Sequence, residues 1–542
     1  MNTNPCTRRS FVECIGAALV SAAPFIARPA LAQKNVAGPV VETHYGKVRG
    51  TVHNGIHSFK GIPYGASTAG KNRFMPPVKP GSWTGVRQAV QFGHWSPQNF
   101  HYAELEAPQA PIETEGTGED CLVLNIWTPE PGPRRKRPVM LWNHGGAWAS
   151  ESGSNPWVHG EALSRRGDVV VITINHRLNV FGYCHLGDIG GEKYAASGLT
   201  GMLDIVAALE WVRDNIPSFG GDPGNVMVFG QSGGGNKTST LLGMPRGKGL
   251  FHRAAVQSSG LFRSLTRDQS NENTRKLMAT LGISANRVDE MQQLPVENLL
   301  GALSGMSAGP AQFAPFVDGD ILPASPFDPV ATPVAANIPI LVGSTLHEQS
   351  FSAQTHAYAA PAEKVLLELD EAGLLERAAE FVGAQKAPQL VELYKSRNPG
   401  KGFSEMYFLM ATDRHQRRLG SITIAERKSR QGQAPAYMYL FSLRSPAFGG
   451  KLGAPHTSEI PYVFDNTNIP RPLCDGSAAE KALAAKISDA WIQFARGGNP
   501  NHKGLPEWPA YNMRDRSTMV FDSECETVND PRSEERKYWQ GA

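Results

Sequence analysis

Asn225–Leu242 reads NVMVFGQSGGGNKTSTLL, and the order of residue types in it decides the fold. Val226–Phe229 is a short apolar run, rich in valine and ending on an aromatic residue, of the kind that forms a buried strand. Gly230-Gln231-Ser232-Gly233-Gly234 follows as a G-x-S-x-G sequence, and Asn236–Leu242 reads as a helix leaving it. A strand that turns at once into a helix strains the backbone at the central serine, and only small neighbours avoid a clash. Such a turn lifts the Ser232 hydroxyl out of the sheet, and the helix N-terminus behind it favours developing negative charge. In a chain with 56 glycines the five-residue pattern alone is weak; between a strand and a helix it predicts a nucleophile.

The same alternation continues outward. Pro138–Asn143 (PVMLWN), Asp168–Ile174 (DVVVITI), Ala254–Gln257, Ile338–Val342 and Ala436–Phe441 are apolar runs that predict buried strands. Gly201–Ile216 places Leu203, Val206, Ala207, Trp211 and Val212 on one broad helical face. Strands alternating with helices predict an α/β fold, with a large, mostly parallel sheet covered by helices on both faces. Val40–His57 alternates in polarity and carries Asn54-Gly55, which predicts small antiparallel strands at the amino-terminal edge of the sheet. Stretches near 266–322 and 361–432 are helical and loop-rich and predict cap insertions within a single domain spanning 33–542.

A serine hydroxyl needs a base, and the base needs a third group to orient it. In this strand-and-helix architecture the chain order is serine, acid, histidine. Of the downstream histidines, His456 lies past the strand Ala436–Phe441 in GAPHTSEIPYVF, where a base at the sheet's edge should sit. Glu348 follows Ile338–Val342 in GSTLHEQSF and is the candidate acid; its neighbour His347 is the rival base. An oxyanion hole needs backbone N–H groups aimed at the tetrahedral oxygen. Gly233 supplies one, and the turn Asn143-His144-Gly145-Gly146-Ala147-Trp148 is expected to add those of Gly146 and Ala147.

The chain has 542 residues, 41% hydrophobic and 19% charged, which is ample material for a large core. Its formal net charge of +3 gives no support to a nucleic-acid or basic membrane-surface function. Thr7-Arg8-Arg9-Ser10-Phe11 resembles a twin-arginine export signature. A short apolar stretch broken by Glu13 and Pro24 follows, and then Ala30-Leu31-Ala32, a small-x-small cleavage site. Residues 1–32 are therefore expected to be a cleaved signal peptide, with an exported, periplasmic or secreted product and no stable membrane anchor after cleavage. Cys121, Cys184, Cys474 and Cys525 remain in that product. Folding in a reducing compartment before export predicts little reliance on disulfides.

These residues together resemble the type-B carboxylesterase/lipase family, the cholinesterase-like branch of the α/β-hydrolase fold. The phrases that carry the resemblance are Arg73-Phe74, Glu119-Asp120-Cys121-Leu122, His144-Gly145-Gly146-Ala147-Trp148, Asn175-His176-Arg177-Leu178, Phe219-Gly220-Gly221-Asp222-Pro223, Gly230-Gln231-Ser232-Gly233-Gly234 and His456 with Glu459-Ile460-Pro461-Tyr462. The resemblance implies Ser232 as nucleophile, Glu348 as acid, His456 as base and Gly146, Ala147 and Gly233 as oxyanion donors. It also implies a structural ion pair between Arg73 and Glu119, and a polar network of Gln231, Ser258 and Glu459 around the base. Neither a metal nor an organic cofactor is implied; the expected partner is a small-molecule ester, and no oligomeric state follows.

Two departures from the family matter. Many relatives bridge the Glu-Asp-Cys cysteine to an earlier one, but here that earlier position is Ser96, so Cys121 is expected to be a free, buried thiol. Cholinesterases carry a glutamate before the nucleophile; here Gln231 removes that charge, and the loop 97–118 offers Phe100 and Tyr102 but no Trp for a choline cation. The expected activity is hydrolysis of carboxylic esters through an acyl-enzyme. Acyl transfer, amide or carbamate hydrolysis by the same site, and a non-catalytic binding protein are the alternatives.

Overall fold

The computed structural model describes residues 36–99, 116–260, 263–306, 312–351, 367–469 and 473–541. The expected signal segment 1–32 lies outside the described residues, as do Phe100 and Tyr102. A sheet of thirteen strands runs through the domain: β1 (Val36–Thr43), β2 (Gly46–His53), β3 (Ile56–Pro63), β4 (Val86–Gln88), β5 (Val123–Thr128), β6 (Arg137–Asn143), β7 (Val170–Ile174), β8 (Gly221–Gln231), β9 (Arg253–Gln257), β10 (Ile340–Thr345), β11 (Ala436–Phe441), β12 (Ser517–Phe521) and β13 (Glu526–Asn529). The spatial order is β1-β2-β3-β5-β7-β6-β8-β9-β10-β11-β12-β13, with β4 beside β2. From β7 to β12 every pairing is parallel; the pairings outside that block along this order are antiparallel. The α/β fold with a large, mostly parallel sheet is as the sequence predicts. The edge hairpin is too: Asn54 and Gly55 both take positive φ (48° and 77°), as a tight two-residue turn requires.

The central strands are apolar on both sides because both sides are covered. Val139, Leu141, Val226, Val228, Ala254, Val256, Ile340 and Val342 face one core, beneath α1 (Thr200–Asn215). Met140, Trp142, Met227, Phe229, Ala255 and Leu341 face the other, against a helix at Ala478–Gly497. The two-residue period of a strand sends neighbours to opposite cores. The stretch Glu192–Phe219, which contains α1, is long and apolar enough to cross a membrane, but most of it is buried in the protein. Its Asp204 closes a buried pair with Arg177, Nη2 to Oδ1 at 2.6 Å.

The helix-rich stretches are of two kinds. Arg267–Thr280 begins with a capping box between Thr266 and Gln269, and Val296–Gly305 follows it. Glu371–Val382, Ala387–Arg397 and Phe403–Arg414 form a separate small core around Leu374, Leu390, Tyr394 and Leu409. Gln416–Gln431, inside the stretch read as cap, instead packs on the sheet: Ile422, Ile424 and Ala425 join the main core, and the Ser421 hydroxyl reaches the Gly343 carbonyl at 3.2 Å.

Candidate active site

Strand β8 ends at Gln231 and α2 (Gly233–Leu242) starts one residue after Ser232, earlier than the helix read from Asn236. Glycine's poor helix propensity obscures that first turn, and packing explains it. A Cβ on Gly234 would lie 1.9 Å from the Asn143 carbonyl oxygen, and one on Gly230 2.5 Å from the Gly234 backbone. Ser232 is held at φ 57°, ψ −122°, a conformation tolerated only where surrounding structure enforces it. Its N–H donates to the Gln257 carbonyl at 2.9 Å, and its carbonyl accepts from Asn236 N–H at 2.9 Å.

Glu348 and His456 arrive from the loops after the parallel neighbours β10 and β11. A carboxylate oxygen of Glu348 accepts from Nδ1 of His456, and both residues are almost wholly buried. The second carboxylate oxygen accepts from Thr345 N–H at 2.8 Å. Burial alone would raise the Glu348 carboxyl, but the facing His456, then Arg417 and the Ser258 hydroxyl, hold it down at about 2. An ionised acid on Nδ1 fixes the proton there and leaves Nε2 as the basic nitrogen. Ser232 and His456 line one cavity of about 700 Å³, together with Gly146 and Ala147. Ala147 also has positive φ (52°), as do Ser258 (49°) and Thr457 (76°), so strained backbone gathers around the site.

The structure separates the two histidine candidates. Nδ1 of His347 accepts from Ala454 N–H at 3.0 Å, and its Nε2 faces Glu405 at 3.3 Å, so this ring is turned away from Ser232's cavity. Its backbone instead ties the two loops together, with His347 N–H donating to the Ala454 carbonyl at 2.9 Å. The network around the base is present. The Ser258 hydroxyl donates to Glu459 at 3.2 Å, and the Gln231 amide nitrogen lies 3.2 and 3.5 Å from the two ring nitrogens of His456, against the ring and not on one lone pair. Gln349 donates its N–H to Thr412 Oγ1 at 3.1 Å, and Glu348 keeps its contact with His456.

Away from the cavity the scaffold residues hold. Arg73 clasps Glu119 through Nε and Nη2 at 2.7 and 2.6 Å and reaches carbonyls of the loop before Val296. Cys121 is a buried thiol pushed up to about 12 chiefly by burial; among the described residues neither it nor Cys184, Cys474 or Cys525 forms a disulfide. Ser96, standing where relatives have a bridging cysteine, accepts from Leu178 N–H at 3.1 Å.

Two spaces meet at Ser232. One is walled by Trp142, Trp157, Val158, Phe351 and Ile460, with the polar Glu151 and Asn155. The other, about 1220 Å³, runs past Gly233 to Leu265, Ala314, Pro315 and His415. Arg417 borders both. His415 is pushed down to about 4, first by burial and then by Arg417. Sequence reading missed Arg417, His415 and the buried Lys237 of α2. None belongs to a motif, and only the fold brings them near Ser232. Among the described residues no group of His, Cys, Asp and Glu is arranged to hold a metal.

With this geometry in place, the likenesses are informative. The model of the carboxylesterase family matches residues 37–539. The para-nitrobenzyl esterase of Bacillus subtilis is 35% identical over 509 residues, 92% of this chain and 98% of that protein. The phenmedipham hydrolase of Pseudarthrobacter oxydans is 30% identical over 505 residues, 90% of this chain and 95% of that protein. Among solved structures, a carboxylesterase of Geobacillus stearothermophilus superposes with a TM-score of 0.78 at 37% identity, covering 92% of this chain and 100% of its own.

Proposed function

The chain belongs to the carboxylesterase family and is a carboxylic ester hydrolase, and from that premise we propose that it acts through a Ser232–His456–Glu348 triad and an acyl-enzyme. Ser232 Oγ attacks the acyl carbon as Nε2 of His456 takes its proton, and Glu348 stabilises the imidazolium. The backbone N–H groups of Gly146, Ala147 and Gly233 receive the oxyanion. His456 returns the proton to the leaving alcohol, and water then repeats the sequence to release the acid. The observation that carries this reading is the buried Glu348–His456 contact beside the strained Ser232.

The test is hydrolysis of p-nitrophenyl esters of rising acyl length by wild type and Ser232→Ala. Loss of the nucleophile should lower kcat by about 10⁴–10⁶. Equal rates in the two proteins would remove Ser232 from the mechanism.

We also propose export, on Thr7-Arg8-Arg9-Ser10-Phe11 and Ala30-Leu31-Ala32. An Arg8→Lys/Arg9→Lys double variant should stay inside the cell, while the unaltered chain should be recovered outside the cytoplasm beginning at Gln33.

A further inference from the structure

Lys237 is the least expected residue near the nucleophile. It lies in the second turn of α2 and is fully buried. A buried ammonium is costly, and the amino-terminal half of a helix adds to the cost for a cation. Nothing in the triad chemistry uses it. Its nitrogen does not meet a carboxylate at contact distance; it donates to two backbone carbonyls, those of His144 at 2.8 Å and Gly145 at 3.1 Å. Those carbonyls belong to the glycine turn that faces Ser232 across the cavity. The Trp148 ring centroid is 6.0 Å from the nitrogen. Burial pushes the amine well below its usual range, while the charge of Glu151 favours the protonated form.

The Gly145 carbonyl and the Gly146 N–H are the two ends of one peptide group. That group is planar and conjugated, so charge drawn to its oxygen leaves its N–H more positive. Hydrogen bonds in series polarise one another in this way, and a charged donor strengthens the effect. We propose that Lys237 is a positioning residue that holds the oxyanion turn from behind and polarises the Gly145–Gly146 peptide, so that Gly146 N–H binds the tetrahedral oxyanion more strongly than a neutral turn would. This rests on the reading of Gly146 as an oxyanion donor. It uses a charge that never touches substrate, and it acts where negative charge appears only in the transition state.

The test compares full-length wild type with Lys237→Met, which keeps the length without a donor, and Lys237→Gln, which keeps one neutral donor. Active sites are counted by phosphonate titration, so that unfolded protein is not scored. The probe is an alkyl trifluoromethyl ketone labelled with ¹³C at its carbonyl, which adds to a serine as a hemiketal whose oxyanion can be titrated by NMR. For Lys237→Met we expect kcat to fall about 10- to 100-fold, less than the 10²–10³ of a lost donor, with KM changed less than about threefold. The inhibition constant of the ketone should rise by the same factor as kcat/KM falls, and the hemiketal should take up its proton at higher pH. Lys237→Gln should lie between the two. A folded variant with an unchanged hemiketal titration overturns the proposal, even if turnover is lost, because the oxyanion would then be held as strongly without the Lys237 donor. Absence of a hemiketal in wild type, or its persistence in Ser232→Ala, overturns the Ser232 reading itself and is distinguishable from a failure of Lys237.

Discussion

Residues 347 and 348 are adjacent in the chain, both are buried, and each is half of a histidine–glutamate pair, yet only one pair reaches the cavity at Ser232. Glu348 meets His456, whose ring lines that cavity. His347 meets Glu405, which is also held by Lys401 at 2.5 Å and Arg444 at 2.8 Å. The residue types are the same; what surrounds them differs. The Nδ1–H of His456 donates to an ionised carboxylate, which keeps the proton on Nδ1, whereas the Nδ1 of His347 accepts from a backbone N–H, so its proton sits on the nitrogen that faces Glu405. Under the proposed mechanism, a histidine–carboxylate pair serves catalysis only when the second ring nitrogen opens onto the cavity. The His347 ring, with Nδ1 taken by Ala454 N–H, ties two loops together instead.

Glu348→Gln should break this contrast most strongly. The amide keeps the shape but favours the wrong tautomer of His456, and kcat should drop by about 10⁴, equivalent to roughly 5.5 kcal/mol, with the melting temperature at neutral pH also lowered. A fall of less than tenfold would mean another group orients His456.

Glu405→Gln should do the reverse. It should leave kcat/KM within about tenfold while lowering unfolding free energy by about 1 kcal/mol, because His347, Lys401 and Arg444 lose a shared, partly exposed charged acceptor. Urea unfolding beside steady-state kinetics separates the two effects.

Acid titration bears on both pairs at once. Burial opposes each carboxylate, but His456 holds Glu348 at about 2, and His347 with Lys401 holds Glu405 well below the usual carboxylate range. Folded values below the unfolded one mean that this stabilisation is complete above the unfolded value of about 4.5 and is lost as pH falls towards 2. Melting temperature should therefore climb across that window in wild type, and less steeply in either glutamine variant.

Ser258→Ala is the smallest change. Removing the hydroxyl that helps hold Glu348 ionised and donates to Glu459 should lower kcat by a few-fold, about 1 kcal/mol, and soften the acid response. No change in either measurement would make Ser258 a packing residue.

Local pattern in the sequence determined a good deal. The apolar runs, the strand-to-helix turn at Ser232 and the glycine turn at 145–146 could all be read, because strand period, turn chemistry and steric need for glycine act over a few residues. That Cys121 forms no disulfide was legible through the family resemblance, which sets Ser96 where many relatives have the partner cysteine. What only the tertiary structure decided was which of His347 and His456 lines the cavity at Ser232, that Gln416–Gln431 packs on the sheet while its first turn brings Arg417 to that cavity, and that Lys237 lies behind the glycine turn. Each depends on which loops the parallel strands bring side by side, and on where burial takes water away from a charge. Those contacts join residues about a hundred positions apart, and no short window of sequence contains them.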